Sequence, residues 1–451
     1  MGKCPVEFGI ARALQWLCAM NKRRVLAIGL LMGIGTSAFA DPPLLTNPPL
    51  APNPPVPANA ALTTDSPITR DSPNNVDLFI ADQFTYDDNL YRLPSYFDVA
   101  TVAGPLARRQ DGFNSTTLGG DGRWFSDNQT FGIDIRADEN RFIHNDSLNN
   151  TSGKGNLEWD WRLASLWSGQ VSVSYFRGLA NFGDTGYYAR DVVQRDDYFG
   201  NIRYQVGPHW AIYGGVIGAD TSQTAVPEQL YDFHSKAGNA GIELATSSQN
   251  TLTFDYRYTD ATFPQDFVLN GLPFNSDYRE DTERILVKYV LSAATEVDAS
   301  VGYLKRDYPE SNFAAFSGDV WKAALQWQPT DNWQWVLTGW RQLTAYVEAE
   351  SDYFVSNGVA LAPTWVASDI LTLSVGVSRE NHDYISSSPS VLTFDTRRDR
   401  LTTERARVAY TPTSSLTFKL TASYEQRESN QARYQFNDTV AMASVTYMIR
   451  P

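Results

Sequence analysis

From Val76 to the C-terminus, short segments in which apolar and polar residues alternate follow one another with few interruptions. One of them runs through Leu252, Phe254, Tyr256 and Tyr258, with a polar residue between each pair. Alternation with a period of two places the apolar side chains on one face of a β-strand and the polar side chains on the other. The pattern predicts an all-β protein of about eighteen strands, centred near residues 80, 120, 135, 157, 174, 201, 214, 239, 256, 285, 301, 322, 339, 357, 375, 405, 421 and 442.

The connections between these segments fall into two classes. Short connections occur near 127–129, 207–208, 247–250, 292–294, 329–332 and 412–415. Longer and more polar connections occur at 88–114, 180–190, 263–277 and 384–395. Short turns on one side and long loops on the other are typical of a transmembrane antiparallel up-and-down β-barrel. We expect both termini in the periplasm, and the even number of strands agrees with this. A soluble sandwich or propeller is the alternative fold, although neither requires this asymmetry.

Aromatic residues favour the barrel over the soluble alternative. They make up 13% of the chain, and a set of tryptophans lies close to the short turns: Trp161, Trp167, Trp210, Trp327, Trp333, Trp335 and Trp365. Membrane barrels carry such an aromatic girdle where the strands meet the lipid headgroups.

The composition excludes several other classes of protein. A mean hydropathy of -0.34 argues against a bundle of membrane helices, which needs runs of about 20 apolar residues. The net charge of -14 argues against a nucleic-acid partner, whose phosphates it would repel. Cys4 and Cys18 are the two cysteines of the chain, so neither a disulfide framework nor a cysteine-based zinc site is expected.

The N-terminal region predicts export. A basic segment at 21–24 precedes a short apolar run at 25–34 and the small-residue site Ala38-Phe39-Ala40, which together indicate a signal peptide over 1–40. Met20 is an alternative start, which would make 1–19 untranslated. The Pro-rich segment 41–75 predicts a periplasmic linker, either a plain spacer or a site for a periplasmic partner. The barrel is then expected over 76–451.

The segment from Asp82 to Pro94 reads Asp-Gln-Phe-Thr-Tyr-Asp-Asp-Asn-Leu-Tyr-Arg-Leu-Pro. It resembles the first-strand signature of the EpsL-like proteins of exopolysaccharide biosynthesis operons, which are related to the family Putative beta-barrel porin 2. The resemblance implies an outer-membrane barrel that helps secreted polysaccharide leave the cell, and it brings no catalytic residue with it. The residues that carry it are Asp87, Asp88, Asn89, Leu90, Tyr91 and Arg92. From the sequence alone, a structural turn at the end of the first strand explains them equally well.

The polar face of the strands supplies candidate pore-lining residues. If Leu252, Phe254 and Tyr256 face lipid, Asp255 and Arg257 face the lumen, since a charge on the lipid face is costly. The same phase gives the full candidate set: Arg203, Asp255, Arg257, Arg284, Lys288, Arg306, Arg405, Arg407, Lys419, Glu425 and Arg427. Such charges either bind solutes or only solvate the pore and pair with one another.

Catalysis is not expected. The chain has four histidines, of which His144 lies near Asp146 and His382 is adjacent to Asp383. No Gly-x-Ser-x-Gly or His-Glu-x-x-His motif occurs, no cluster has metal-ligand spacing and no glycine loop fits a phosphate, so neither metal nor cofactor is expected.

The sequence therefore predicts an outer-membrane channel of a Gram-negative bacterium that takes part in exopolysaccharide export. A general diffusion porin for small solutes is the main alternative, followed by a structural barrel and a barrel hydrolase. The expected partners are outer-membrane lipid, the barrel assembly machinery, polysaccharide and periplasmic export components.

Overall fold

The computed structural model describes residues 75–246, 250–269, 272–309, 315–348, 351–385 and 396–449. The predicted signal peptide at 1–40 and all but the last residue of the predicted linker at 41–75 lie outside the described residues. These two boundaries therefore stay predictions.

The described chain forms one closed antiparallel sheet of eighteen strands. In chain order the strands are β1 Asn75–Asp87, β2 Asp111–Ser126, β3 Gln129–Phe142, β4 Asn150–Leu163, β5 Trp167–Leu179, β6 Val192–Gln205, β7 Trp210–Gln223, β8 Phe233–Ala245, β9 Thr251–Thr262, β10 Tyr278–Ser292, β11 Thr295–Asp307, β12 Phe316–Thr330, β13 Trp333–Glu348, β14 Ser351–Ser368, β15 Leu371–Ile385, β16 Arg398–Thr413, β17 Leu416–Ser429 and β18 Phe436–Ile449. Each strand pairs with its neighbours in sequence, and β1 also pairs with β18, where Leu78 lies opposite Ile449. The predicted all-β barrel of eighteen strands is confirmed. The periplasmic location of the termini stays a prediction.

The two ends of the barrel differ in their connections. At one end, which we call the short-turn end, successive strands are joined by connections such as 127–128, 293–294 and 414–415. At the other end, the loop end, the connections include 88–110, 143–149 and 180–191. Two short helices lie in these loops, α1 at Val99–Ala103 and α2 at Phe182–Thr185, and a small hairpin pairs Phe267–Leu269 with Leu272–Phe274.

The outer surface of the barrel is apolar over most of its height. On β9, for example, Phe254, Tyr256 and Tyr258 are exposed, whereas the residues between them are buried. Tryptophans line the outside near the short-turn end, and the rings of Trp333 and Trp365 stack at a centroid distance of 5.6 Å. Apolar side chains outside and an aromatic row at the rim are what a barrel in lipid requires. Among the described residues, no helix is both long and apolar enough to cross a membrane.

Candidate functional site

The inner surface of the barrel carries most of the charged side chains of the strands. All eleven predicted pore-lining residues fall on the inward phase: Arg203 on β6, Asp255 and Arg257 on β9, Arg284 and Lys288 on β10, Arg306 on β11, Arg405 and Arg407 on β16, and Lys419, Glu425 and Arg427 on β17. Their position follows from strand alternation, because their sequence neighbours carry the outward apolar face. That they line a conducting path stays a prediction.

Asp255 is the centre of a network on the inner face of β7 to β10. Arg284 on β10 forms an ion pair with Asp255, with Nε 3.0 Å from Oδ1. The other carboxylate oxygen accepts hydrogen bonds from the Tyr213 hydroxyl at 2.7 Å and from Asn239 Nδ2 at 2.9 Å. Because four strands contribute one side chain each, the network fixes the register of this part of the wall.

Three further predicted residues pair with carboxylates on the inner face. Arg203 Nη2 lies 2.6 Å from Glu243, and Lys288 Nζ lies 2.7 Å from Glu296. Arg306 is almost completely buried; its Nη2 lies 2.6 Å from Glu280, and its guanidinium stacks over a neighbouring tyrosine ring. These charges therefore stabilise the wall as well as line it.

Cations predominate on the inner face of β16 and β17. Arg405 and Arg407 are two residues apart on β16, and Lys419 lies on the paired strand two rows further toward the short-turn end. We call these three residues the basic sector. Arg257 is a separate buried cation on β9, and its Nε and Nη2 atoms have no hydrogen-bond partner among the described residues.

The inner face also carries an acidic group of residues, opposite in charge to the basic sector, that was not predicted from the sequence. Asp77 on β1, Asp121 on β2 and Asp134 on β3 face inward and lie directly opposite one another in the strand register. We call them the aspartate row. Alternation indicates that each one faces inward, because residues such as Leu118 face outward. Their alignment, however, depends on the register of three strands, and no local signal in the sequence gives it.

The loop between β5 and β6 crosses the interior at the loop end. Asn181 caps α2, accepting a hydrogen bond from the Gly183 amide at 3.0 Å, and the Gly183 carbonyl accepts a hydrogen bond from Arg427 Nη1. Arg427 lies on β17, six strands away from β5 around the closed sheet. The loop at 180–191 therefore narrows the interior at this end.

The motif at 87–92 forms a compact turn at the seam where β1 meets β18. The Asn89 side chain donates to the carbonyls of Leu93 at 2.9 Å and Asn437 at 2.8 Å, and Asp88 accepts a hydrogen bond from the Thr439 amide at 2.7 Å. The structure thus places polar residues of the motif against β18. This arrangement supports the structural interpretation of the motif.

Leu90 and Tyr91 of the motif belong to an apolar cluster with Leu148 and Phe182, and the rings of Tyr91 and Phe182 lie 4.8 Å apart. Burial raises the pKa of Tyr91 to about 12, and the nearby Asp111 carboxylate adds to the effect. This cluster packs the loops at 88–110, 143–149 and 180–191 against one another.

Arg92 joins the motif to the barrel wall through two carboxylates. Arg92 Nη1 lies 2.9 Å from Asp87 Oδ2, and Arg92 Nη2 lies 2.9 Å from Asp438 Oδ2. The Arg92 side chain also packs against Gly183, so closely that a Cβ atom added to Gly183 would lie 3.3 Å from it. Burial by itself lowers the pKa of Arg92, but the surrounding carboxylates raise it above its ordinary value. Asp87, Asp88 and Asp438 converge closely enough to hold a cation, and Arg92 already binds two of them.

Neither His144 nor His382 contacts the aspartate that lies near it in the sequence. His144 contacts Asp111, with Nδ1 3.0 Å from Oδ1, rather than Asp146. His382 contacts Glu380 at 3.1 Å, because Asp383, its neighbour on the strand, points to the opposite face. Ser356 donates to the same glutamate and is fully buried, so serine and histidine both bind the acid. A serine hydrolase needs the histidine between the serine and the acid, and this cluster lacks that order.

Comparison with known proteins supports the porin part of the sequence-based resemblance. A model of the family Putative beta-barrel porin 2 matches residues 287–448, from the middle of β10 to the end of β18. No curated protein matches the chain. The matched family and the closed barrel support an outer-membrane β-barrel of the porin type. The resemblance to EpsL-like proteins gains no support.

Solved structures similar to this chain include two proteins from pseudomonads. OpdQ of Pseudomonas aeruginosa is 10% identical with a TM-score of 0.44, over 84% of this chain and 98% of its own. A BenF-like porin from Pseudomonas fluorescens Pf-5 is 12% identical with a TM-score of 0.44, over 84% of this chain and 99% of its own. Similarity at this level carries no information about substrates.

Proposed function

We propose that the protein is a general diffusion channel for small polar solutes in the outer membrane. The observation that supports this function best is the combination of a closed eighteen-strand barrel with a charged inner face and an apolar outer face. Barrels of 16–18 strands are wide enough for an aqueous lumen. The loop at 180–191 would then set the upper size limit for solutes, because it crosses the interior.

The test is the conductance of the purified full-length protein in planar lipid bilayers. We expect stepwise current increases on insertion of the folded barrel, and none from the heat-unfolded protein. A folded barrel that inserts into the bilayer but passes no current would contradict the proposal.

The charges on the inner face predict how the channel selects ions. Replacing Arg405 and Arg407 together with Gln should shift the reversal potential in a salt gradient toward cations, because fixed charges set the local ion concentration. Asp121→Asn in the aspartate row is the matched control and should shift the reversal potential in the opposite direction. Shifts of the same sign in both variants would show that these residues lie outside the ion path.

The crossing loop predicts a second effect on conductance. Arg427→Met removes the bond to the Gly183 carbonyl, so the loop at 180–191 loses an anchor on β17. Single-channel conductance should then increase or fluctuate between levels. Arg400→Met, at an outward position on β16, is the control and should behave like the parent. Identical traces for Arg427→Met and the parent would show that the loop does not limit the current.

Export of exopolysaccharide is the second candidate function, and only the resemblance of the motif at 87–92 favours it. The polar side chains of that motif bind one another and β18, so the motif offers little to a polysaccharide. A deletion strain distinguishes the two functions: reduced surface polysaccharide would favour export, whereas unchanged polysaccharide with slower uptake of small solutes would favour the diffusion channel.

A further inference from the structure

One arginine on the inner face of the barrel is buried without a counter-charge bound to it. Arg257 on β9 is 7% exposed, and its Nε and Nη2 atoms have no hydrogen-bond acceptor among the described residues. Its neighbours in the strand register, Asn239 on β8 and Thr282 on β10, are both uncharged. A buried charge that nothing compensates is costly, so an anion that binds Arg257 stabilises it.

Other arginines of the inner face indicate which kind of anion fits. Nε and Nη2 lie on the same edge of the guanidinium group, where they present two N–H donors side by side. Three arginines on β6, β10 and β11 use this edge to bind one carboxylate of the wall each: Arg203 binds Glu243, Arg284 binds Asp255 and Arg306 binds Glu280. Arg257 has the same edge available, so a carboxylate is the group that matches it.

The carboxylates of the wall near Arg257 are already bound to other side chains. The two that act on it electrostatically are Asp255 and Glu280. Both oxygens of Asp255 accept hydrogen bonds from other residues, and Glu280 lies 2.6 Å from Arg306 Nη2. Arg257, Arg284 and Arg306 thus share two carboxylates. This part of the inner face therefore has one positive charge in excess, and it lies at Arg257.

We propose that the Nε–Nη2 edge of Arg257 binds the carboxylate of an organic acid in the lumen. Among the described residues, no hydrogen bond holds this edge against the wall, so the side chain can turn toward the lumen without breaking one. Arg284, whose side chain is 18% exposed, adds a second positive charge that attracts the anion. The inference rests on the proposed diffusion channel, because solutes reach the site through the lumen.

The experiment compares two solutes that differ in one chemical group. Gluconate and sorbitol share the same polyhydroxylated carbon chain, but gluconate ends in a carboxylate where sorbitol has a hydroxymethyl group. Each is added to the purified full-length protein in a planar bilayer while the potassium chloride current is recorded at constant ionic strength. Gluconate should interrupt the current, and sorbitol at the same concentration should not, because only the carboxylate pairs with Arg257.

Variants at Arg257 test the assignment of the site. Arg257→Gln removes the charge, and Arg257→Lys keeps the charge but lacks the paired donors, so both should shorten the interruptions severalfold. Lys322→Gln is the matched control, because it removes an exposed positive charge from the inner face of β12, three strands away. It should leave the interruptions unchanged. Interruptions that persist in Arg257→Gln, or equal interruptions by sorbitol and gluconate, would overturn the proposal.

Urea unfolding in lipid vesicles tests the site without any current. Gluconate should raise the urea concentration at which the parent unfolds, because a ligand that binds the folded barrel stabilises it, and it should not do so for Arg257→Gln. Without gluconate, Arg257→Gln should be no less stable than the parent, since it removes an uncompensated buried charge. A folded barrel that passes no current contradicts the proposed function alone, and the unfolding shift then decides about the site. Equal midpoints of the parent with and without gluconate would overturn the inference.

Discussion

Asp255→Asn is expected to lower the free energy of unfolding of the barrel by about 3 kcal/mol, since removing one member of a buried ion pair leaves the other charge uncompensated. The Asp255 side chain is 1% exposed and Arg284 is 18% exposed, which places the effect at the lower end of the range for fully buried pairs. The variant also weakens the hydrogen bonds from Tyr213 and Asn239. Urea-induced unfolding of the barrel in lipid vesicles measures the change.

Asp260→Asn is the control for this prediction. It removes a carboxylate from the outward face of the same strand, where Asp260 lies 3.6 Å from Arg279 and both side chains are at least half exposed. Exposed pairs contribute about 0–1 kcal/mol, so the control should unfold close to the parent. Adding Arg284→Gln to Asp255→Asn should recover most of the lost stability. Equal losses for the two single variants would show that the network is not a stabilising element.

Leu325→Arg is expected to destabilise the barrel by about 2 kcal/mol, because it places a charge on the lipid face one outward position from the interfacial Trp327, between the interface and the midplane. Leu325 lies on the outward phase of β12 between Ala323 and the exposed Trp327. Gln326→Arg, one residue along the strand, puts the same side chain into the interior and should be tolerated. Heat-modifiable mobility and urea unfolding in vesicles compare the two variants. If Gln326→Arg is the more damaging, the assigned phase of β12 is wrong.

The strands of this barrel are predictable from sequence because one physical constraint repeats in each of them. A strand between lipid and a polar interior has to alternate, so Leu252, Phe254 and Tyr256 indicate both the strand and its facing. The same constraint predicts that Asp255 and Arg257 lie on the inner face. Strand positions and the inner face were therefore accessible from the sequence.

The partners of the inner residues were not accessible in the same way. Asp255 meets Arg284 because β9 and β10 are in a particular register across the connection at 263–277, and alternation is unchanged by a shift of two residues. The contact of Arg427 with Gly183 depends on how a loop folds across the interior. Both are long-range features that no local pattern specifies.

The seam between β1 and β18 has a consequence for the order of folding. Asn89 and Asn437, which bond across it, are 348 residues apart in sequence, so this pairing must wait until the rest of the chain has been added. Until then β1 has an open edge that could pair with another chain. The turn after β1 needs no such wait, because Asp87, Asn89 and Arg92 bind one another locally. The turn after β1 can therefore form first and then bind β18, which favours closure of the barrel within one chain.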